Sequence, residues 1–199
     1  MRLPKPRFDG RESVERAIKN RRTVRSFRSK PLDVGRVGQL LWAAQGVTGG
    51  LGSKRAAPSA GALYPMDVYA VVGKEGVQGL KSGNYHYAPR AHSLERVKAG
   101  DLLEHVARAA LSQGWMAGAP VNFAITATYE RITGKYGQRG VRYAMIEAGH
   151  IGQNLFLQAG ALGLEAGIVG AFRDDELIRV LGIPRSRVPL LVMPVGYRS

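Results

Sequence analysis

The sequence predicts an α+β fold. Three observations carry that expectation: strand-like apolar runs at "DVYAVVG", "VNFAITATYE" and "VPLLVMPVGY", a long helical pattern across residues 143–162, and an element order without the regular strand-helix-strand alternation of a doubly wound sheet.

The elements follow in order. Residues 12–20 carry Val14, Ala17 and Ile18 at helical spacing, which predicts a short helix ending at Asn20. Asp33 can cap a second helix whose inward face is Val34, Val37, Leu40, Leu41 and Ala44, and Gly46 can end it. "GVTGGLGSKRAAPSAGALYP" is then a glycine-rich connection of a length that compact domains rarely keep without a purpose, either a ligand loop or a disordered one. After the strand "DVYAVVG", "NYHYAPRAHSLERV" reads as two extended runs around a turn at Pro89, followed by a helix over residues 101–113. "VNFAITATYE" follows the turn signal Ala119-Pro120 and reads as a buried strand, while "RITGKYGQRG" reads as a charged loop rich in turn formers. The helix over 143–162 has Ala144, Ala148, Ile151, Leu155, Ala159 and Leu162 on one face, and Gly149, Gly152 and Gly160 allow a close neighbour. "GIVGAF" suggests a short strand, Asp174 caps a helix through Leu181, and "VPLLVMPVGY" closes the chain as a strand. There is no repeat, low-complexity tract or linker, so residues 1–199 are expected to form one domain.

Composition narrows the function. A 45% hydrophobic and 22% charged content is that of a soluble globular protein, and neither an export signal nor a membrane span is indicated. With no cysteine, a disulfide framework, a thiolate nucleophile and a sulfur-ligated zinc site are excluded, and the cytoplasm is the default location. The charge of +14 admits a nucleic-acid partner, but outside one stretch the cations are scattered and no basic run is interleaved with stacking aromatics. No dinucleotide fingerprint, P-loop or nucleophile elbow is present. His86 and His92 lie near each other without acidic companions in the sequence, and His105 and His150 sit on helical patterns, so no metal site is expected.

What remains is "KNRRTVRSFRSK", residues 19–30, with six cations and no acid, and a small-residue segment, "PSAGAL". Guanidinium forks suit phosphate, and in an extended segment Arg21, Thr23 and Arg25 would point to one side. "PSAGAL" offers little side chain to obstruct a flat ring approaching the backbone. Together they suggest a nucleotide-like cofactor carrying one phosphate.

"NRRTVRSF", "PSAGALYP", "EAGHIGQNLFLQAGALGLEAGIVGAF" and the closing "PVGY" together resemble the nitroreductase superfamily of FMN-dependent oxidoreductases, in order and spacing. Within it, "GNYHYAPRAHSLERV" and "KYGQRGVRYAMIEAGHIGQNL" look like the SagB-type dehydrogenase branch, whose thiazoline-oxidising members help build thiazole-containing peptides. The resemblance implies a central, mostly antiparallel sheet flanked by helices, in an intertwined homodimer with FMN at the subunit interface. Carried over by position, Arg21, Arg22, Thr23 and Arg25 would hold the phosphate, ribityl chain and pyrimidine edge, with Arg198 as a further phosphate contact. Pro58, Ser59, Ala60, Gly61, Ala62 and Leu63 would reach the ring from the partner subunit, and Val169, Gly170 and Ala171 would lie beside its redox-active side. Lys135 and Tyr136 match the Lys-Tyr pair that handles protons in thiazoline-oxidising relatives. Many nitroreductases place Asn-x-Gln-Pro where this chain has Ala62-Leu63-Tyr64-Pro65, so a side-chain amide contact is lost. The implied activity is hydride transfer from NAD(P)H through FMN to a quinone, nitro-aromatic or similar acceptor. The alternatives are a SagB-type dehydrogenase acting on a heterocycle or other small substrate, and a basic nucleic-acid-binding module without flavin.

Overall fold

Strand β3 (Met66–Val72) is buried along its whole length because helices cover both faces of its sheet. In this computed structural model, which describes residues 1–49 and 54–199, Met66, Val68, Ala70 and Val72 enter one apolar cluster while Tyr69 and Val71 enter another. Side chains alternate across a strand, so an unbroken apolar run is what two covered faces require.

The first cluster receives Leu40 and Leu41 of helix α2 (Val34–Gln45) and Ile151 and Leu155 of helix α5 (Arg139–Ala161). The second receives Val106 of α3 (Leu103–Ala109) and Leu177 and Leu181 of α6 (Asp174–Leu181). The sheet between them is antiparallel throughout, in the order β5-β4-β3-β6-β8-β7, with β4 (Gly83–Ala88), β5 (Ser93–Ala99), β6 (Val121–Ala127), β7 (Glu165–Ala166) and β8 (Val188–Gly196). The α+β expectation holds. Among the described residues no helix is long and apolar enough to cross a membrane.

Local signals explain most boundaries. Asp33 caps α2 by accepting from the Arg36 amide at 2.8 Å, and Gly46 ends it. Helix α1 (Val14–Asn20) is capped by Ser13, which accepts from the Arg16 amide at 3.2 Å. Its apolar face is not inward, however: Val14 is 65% exposed and Ile18 54%.

Other expectations need correction. The helix expected over 101–113 stops at Ala109, because Leu111 and Ser112 turn to φ of 56° and 60°. The helix expected from 143 starts at Arg139, and the segment read as a charged loop is mostly helix α4 (Glu130–Tyr136), ended by Gly137 at φ 55°. "GIVGAF" is not a strand. Glu165 and Ala166 pair with β8 just before it, and Val169 makes only an isolated bridge to Val192. Asp174 is the first residue of α6, not its cap; with Asp175 and Glu176 it places negative charge on the helix's positive end. In the glycine-rich connection, β1 (Val47–Gly49) pairs with β2 (Lys54–Arg55), and residues 60–62 form a 3₁₀ turn. The residues between β1 and β2, part of the stretch expected to be a ligand loop or disordered, lie outside the described residues.

Two segments before α2 reach the margins of the sheet. Arg2 bridges Ser93 on β5, and Thr23 bridges Ala166 on β7 while Phe27 bridges Arg198 just past β8.

Ile151 is fully buried between α5 and the sheet. Ile151→Ala is expected to cost about 2–5 kcal/mol in denaturant unfolding. A loss under about 1 kcal/mol would mean that α5 is not seated on this core.

Candidate functional site

The cationic segment is held in place by backbone. The Val24 amide donates to the Ala166 carbonyl at 3.0 Å, the Arg28 amide donates to Tyr197 at 2.9 Å, and Ser26 Oγ donates to Ser199 Oγ at 2.9 Å. Gly167 makes this approach possible, since a Cβ there would stand 2.7 Å from the Trp115 ring and 2.9 Å from the Val24 carbonyl. The result is that residues 21–25, residues 166–171 and the chain end at Arg198 become neighbours.

Their side chains divide differently from strict alternation. Arg21 and Arg22 line a cavity of about 250 Å³ together with Arg198, Phe156, Gly160 and Gly163. Arg21 lies over the Phe156 ring at 5.0 Å, and Arg22 turns back to donate to the carbonyls of Lys19 and Arg21 at 2.9 and 2.8 Å. Arg25 lies over Trp115 at 5.8 Å and does not line that cavity, nor does Thr23. Glu12 and Glu165 border the cavity, but among the described residues no carboxylate lies within 4 Å of Arg21, Arg22, Arg25 or Arg198. Val169 is buried, and Gly170 and Ala171 are exposed beside it.

The other sequence-predicted residues gather at the opposite end of α5. Gly61 has φ 61° and Ala62 φ 54°, so residues 60–62 present backbone outward. A Cβ on Gly61 would meet Tyr136 Oη at 2.7 Å and Lys135 Nζ at 3.2 Å, so the Lys-Tyr pair stands directly on this turn. Tyr136 in turn packs edge-on against Tyr143 of α5, ring centres 5.2 Å apart. Pro58 is exposed, Leu63 is half-buried, and Ser59 Oγ accepts from the Tyr64 amide at 3.0 Å. Tyr143 and Phe156 are thirteen steps apart on one helix, so the two clusters are separated by about 20 Å within a protomer.

Several polar residues here were not singled out in the sequence. Glu147 is 1% exposed; its Oε1 accepts from Gln45 Nε2 at 2.9 Å, while Oε2 is buried with no hydrogen-bond partner among the described residues. Burial pushes its carboxyl up from the ordinary 4.5, outweighing the lowering effects of Ser59, Gln45 and Arg55. The signal was available, since Glu147 stands three residues after Ala144 and four before Ile151, in phase with the buried stripe.

Asp67, the acid inside an apolar strand, is 7% exposed and surrounded by donors. Its Oδ1 meets His86 Nε2 at 3.0 Å and Arg187 Nη1 at 3.3 Å, and its Oδ2 meets Arg131 Nη1 at 3.0 Å and Thr128 Oγ1 at 3.1 Å. Burial alone would raise its pKa, but the His86 hydrogen bond and the two guanidinium groups lower it on balance. His86 therefore does have an acidic companion, nineteen residues away in sequence. Burial pushes the Tyr69 hydroxyl, which accepts from Arg187, up to about 12. Among the described residues no three His, Cys, Asp or Glu side chains gather as a metal set.

Known proteins place this arrangement. The model of the Nitroreductase family matches residues 18–197. The chain belongs to the nitroreductase family. A Methanocaldococcus jannaschii protein named as a candidate nitroreductase is 43% identical over 93% of this chain and 91% of its own length. The crystal structure of a candidate nitroreductase from Ralstonia eutropha superposes with a TM-score of 0.83 at 26% identity, over 99% of this chain and 88% of that one. The microcin B17-processing protein McbC of Escherichia coli is 29% identical over 72% of this chain, which spans only 54% of McbC. Within the nitroreductase family, then, this chain is an oxidoreductase with a relative among the peptide-processing proteins.

Glu147 makes a pH dependence testable in this nitroreductase. The folded chain keeps its proton to a higher pH than the unfolded chain does, so its contribution to stability falls as pH rises from about 4.5 through the raised folded value. Glu147→Gln removes that slope. In denaturant titrations its stability relative to the parent protein should therefore increase between about pH 4.5 and pH 8. A constant difference across that range would show that Glu147 ionises normally.

Proposed function

We propose that the chain is an FMN-dependent oxidoreductase that works as a homodimer and passes hydride from NADH or NADPH to a quinone, nitro-aromatic or similar acceptor. The observation that carries this reading is the cavity where Arg21, Arg22 and Arg198 meet without a carboxylate partner among the described residues. Its donor set fits a phosphate monoester, because guanidinium forks bind planar anionic oxygens by charge-assisted bonds. Thr23 and Arg25 continue from the cavity toward residues 169–171, along which the ribityl chain and pyrimidine edge would lie. FMN, when bound, supplies the ring that takes and gives hydride.

The chain's own residues then have distinct tasks. Arg25 fixes positive charge by the pyrimidine edge, and a backbone amide in residues 169–171 offers a donor that cannot be titrated away. The turn at residues 58–63 lies about 20 Å from the clamp along α5, so one ring reaches both only if the turn belongs to the partner subunit. The exposed apolar residues Val14 and Ile18 of α1 and Met145 and Ile146 of α5 support such a partner. Donor and acceptor would use one site in turn, a ping-pong order.

One observation favours a second reading. Lys135 and Tyr136 stand on Gly61, where a proton leaving a substrate carbon could be taken by Lys135 Nζ as in a SagB-type dehydrogenase. The likeness to McbC supports it, although the chain spans 54% of that protein.

Two measurements test these readings. Purified protein should be yellow and release FMN on denaturation, and Arg21→Ala with Arg25→Ala should lower FMN occupancy, each lost charge-assisted bond costing about 1.5–3 kcal/mol. Occupancy unchanged in the double variant would remove the clamp. Anaerobic NADH or NADPH should bleach the flavin; failure of both would favour the dehydrogenase reading.

A further inference from the structure

Arg55 sits in an electrostatic position that the proposed flavin clamp does not explain. Its only hydrogen bond among the described residues runs from Nη1 to Gln45 Oε1, at 3.3 Å, and its Nε is buried without a partner. The guanidinium carbon lies over the Tyr64 ring, 4.3 Å from its centre. Among the described residues no carboxylate comes within 4 Å of it. The two nearby acids, Asp67 and Glu147, attract it only from beyond ion-pair distance, and Asp67 already receives four donors. Burial correspondingly lowers the Arg55 pKa. A partly buried cation without a contacting acid is costly, so such a group is kept where an anion arrives from outside.

The space for that anion adjoins it. Arg55, Arg131, Gln45, Tyr64 and Tyr87 line a cavity of about 300 Å³, with Leu63 and Met66 supplying apolar wall; the Asp67 carboxylate also borders it, but is held by His86, Arg131, Arg187 and Thr128. That volume is the lower end of the size range for small-molecule sites. Arg131 spends Nη1 on Asp67 but its side chain remains 38% exposed. It precedes Lys135 by four residues on α4, one helical turn, and Leu63 of the cavity wall ends the 58–63 turn on which the Lys-Tyr pair stands. Gln45 is oriented from both sides, donating its amide N–H to Glu147 and accepting from Arg55 with its carbonyl oxygen.

We propose that this cavity is a substrate subsite, in which Arg55 and Arg131 grip a carboxylate carried on a small, flat or apolar body. The carboxylate would lie across the two guanidinium groups, the body between Tyr64, Tyr87 and Leu63, and the reacting end toward Lys135, Tyr136 and the 58–63 turn. The subsite's place in catalysis rests on the flavin reading above; the anion site itself does not.

Benzoate and benzyl alcohol, which differ in the charged group, serve as probes in calorimetric titrations of the full-length protein whose FMN content has first been measured. Benzoate should bind about tenfold or more tightly than benzyl alcohol; Arg55→Gln should lose about that factor for benzoate alone, and Arg55→Lys should recover part of it. Arg55→Gln should melt at or above the parent temperature, since it removes an uncompensated charge. With flavin-loaded protein, the preference in kcat/KM for 4-nitrobenzoate over 4-nitrobenzyl alcohol should fall in Arg55→Gln, mainly through KM. Equal binding of the two probes, unchanged benzoate binding in Arg55→Gln, or a large fall in its melting temperature overturns the subsite. Arg55-dependent benzoate binding in a protein that takes up no flavin keeps the anion site and removes the flavin reading instead.

Discussion

Twenty-three residues of uninterrupted helix set the distances in this molecule. Helix α5 lies on the sheet through Ala144, Ala148, Ile151 and Leu155, and everything chemical is arranged along it. Near one end Phe156 supports Arg21; near the other Tyr143 supports Tyr136, and Glu147 meets Gln45. A rigid rod cannot bring its two ends together, so a ligand needing both clusters must be shared between two copies. The same rod carries the apolar pair Met145 and Ile146 on its outer side, where a second copy can cover it.

The two polar clusters follow opposite electrostatic strategies. Around residues 21–25 the cations stay near solvent, resting on Phe156 and Trp115, so they remain charged at little cost and ready for an anion. Around Asp67 and Glu147 the charges are buried, and each acid is resolved differently. Asp67 collects two guanidinium groups and a histidine, which lower its pKa, while Glu147, with one amide donor and, among the described residues, no partner within hydrogen-bond geometry for its other oxygen, has its carboxyl raised by burial. Arg55 is attracted by both and, among the described residues, is in ion-pair contact with neither.

Much of the fold was legible because its signals are local. Asp33, Gly46 and the apolar runs of β3, β6 and β8 act within a few residues of where they stand, and the structure places those elements as read. The failures were of another kind. Leu111 and Ser112 adopt a backbone that their identities do not announce, and the charged, turn-rich letters of residues 131–136 form helix α4 instead of a loop. In the site, the arginine run and the Gly61 turn were visible as motifs, but Asp67 with His86, Arg131 and Arg187 assembles from four separate segments. No spacing rule joins residues that only a folded sheet makes neighbours. Arg55 is the extreme case, since its significance lies in the lack of a contacting acid among the described residues.

The chain's first 28 residues also act on the sheet's margins. An open β-sheet ends in rows of unpaired amides and carbonyls that invite another chain. Here residues 1–3 exchange backbone bonds with His92 and Leu94 along β5, and Val24 donates to Ala166 on the far margin at β7. One continuous leading segment thus hems both borders, and the arginines next to Val24 are part of that hem. The position of the arginines and colloidal behaviour are therefore physically linked: loosening the cationic stretch would uncover an adhesive rim.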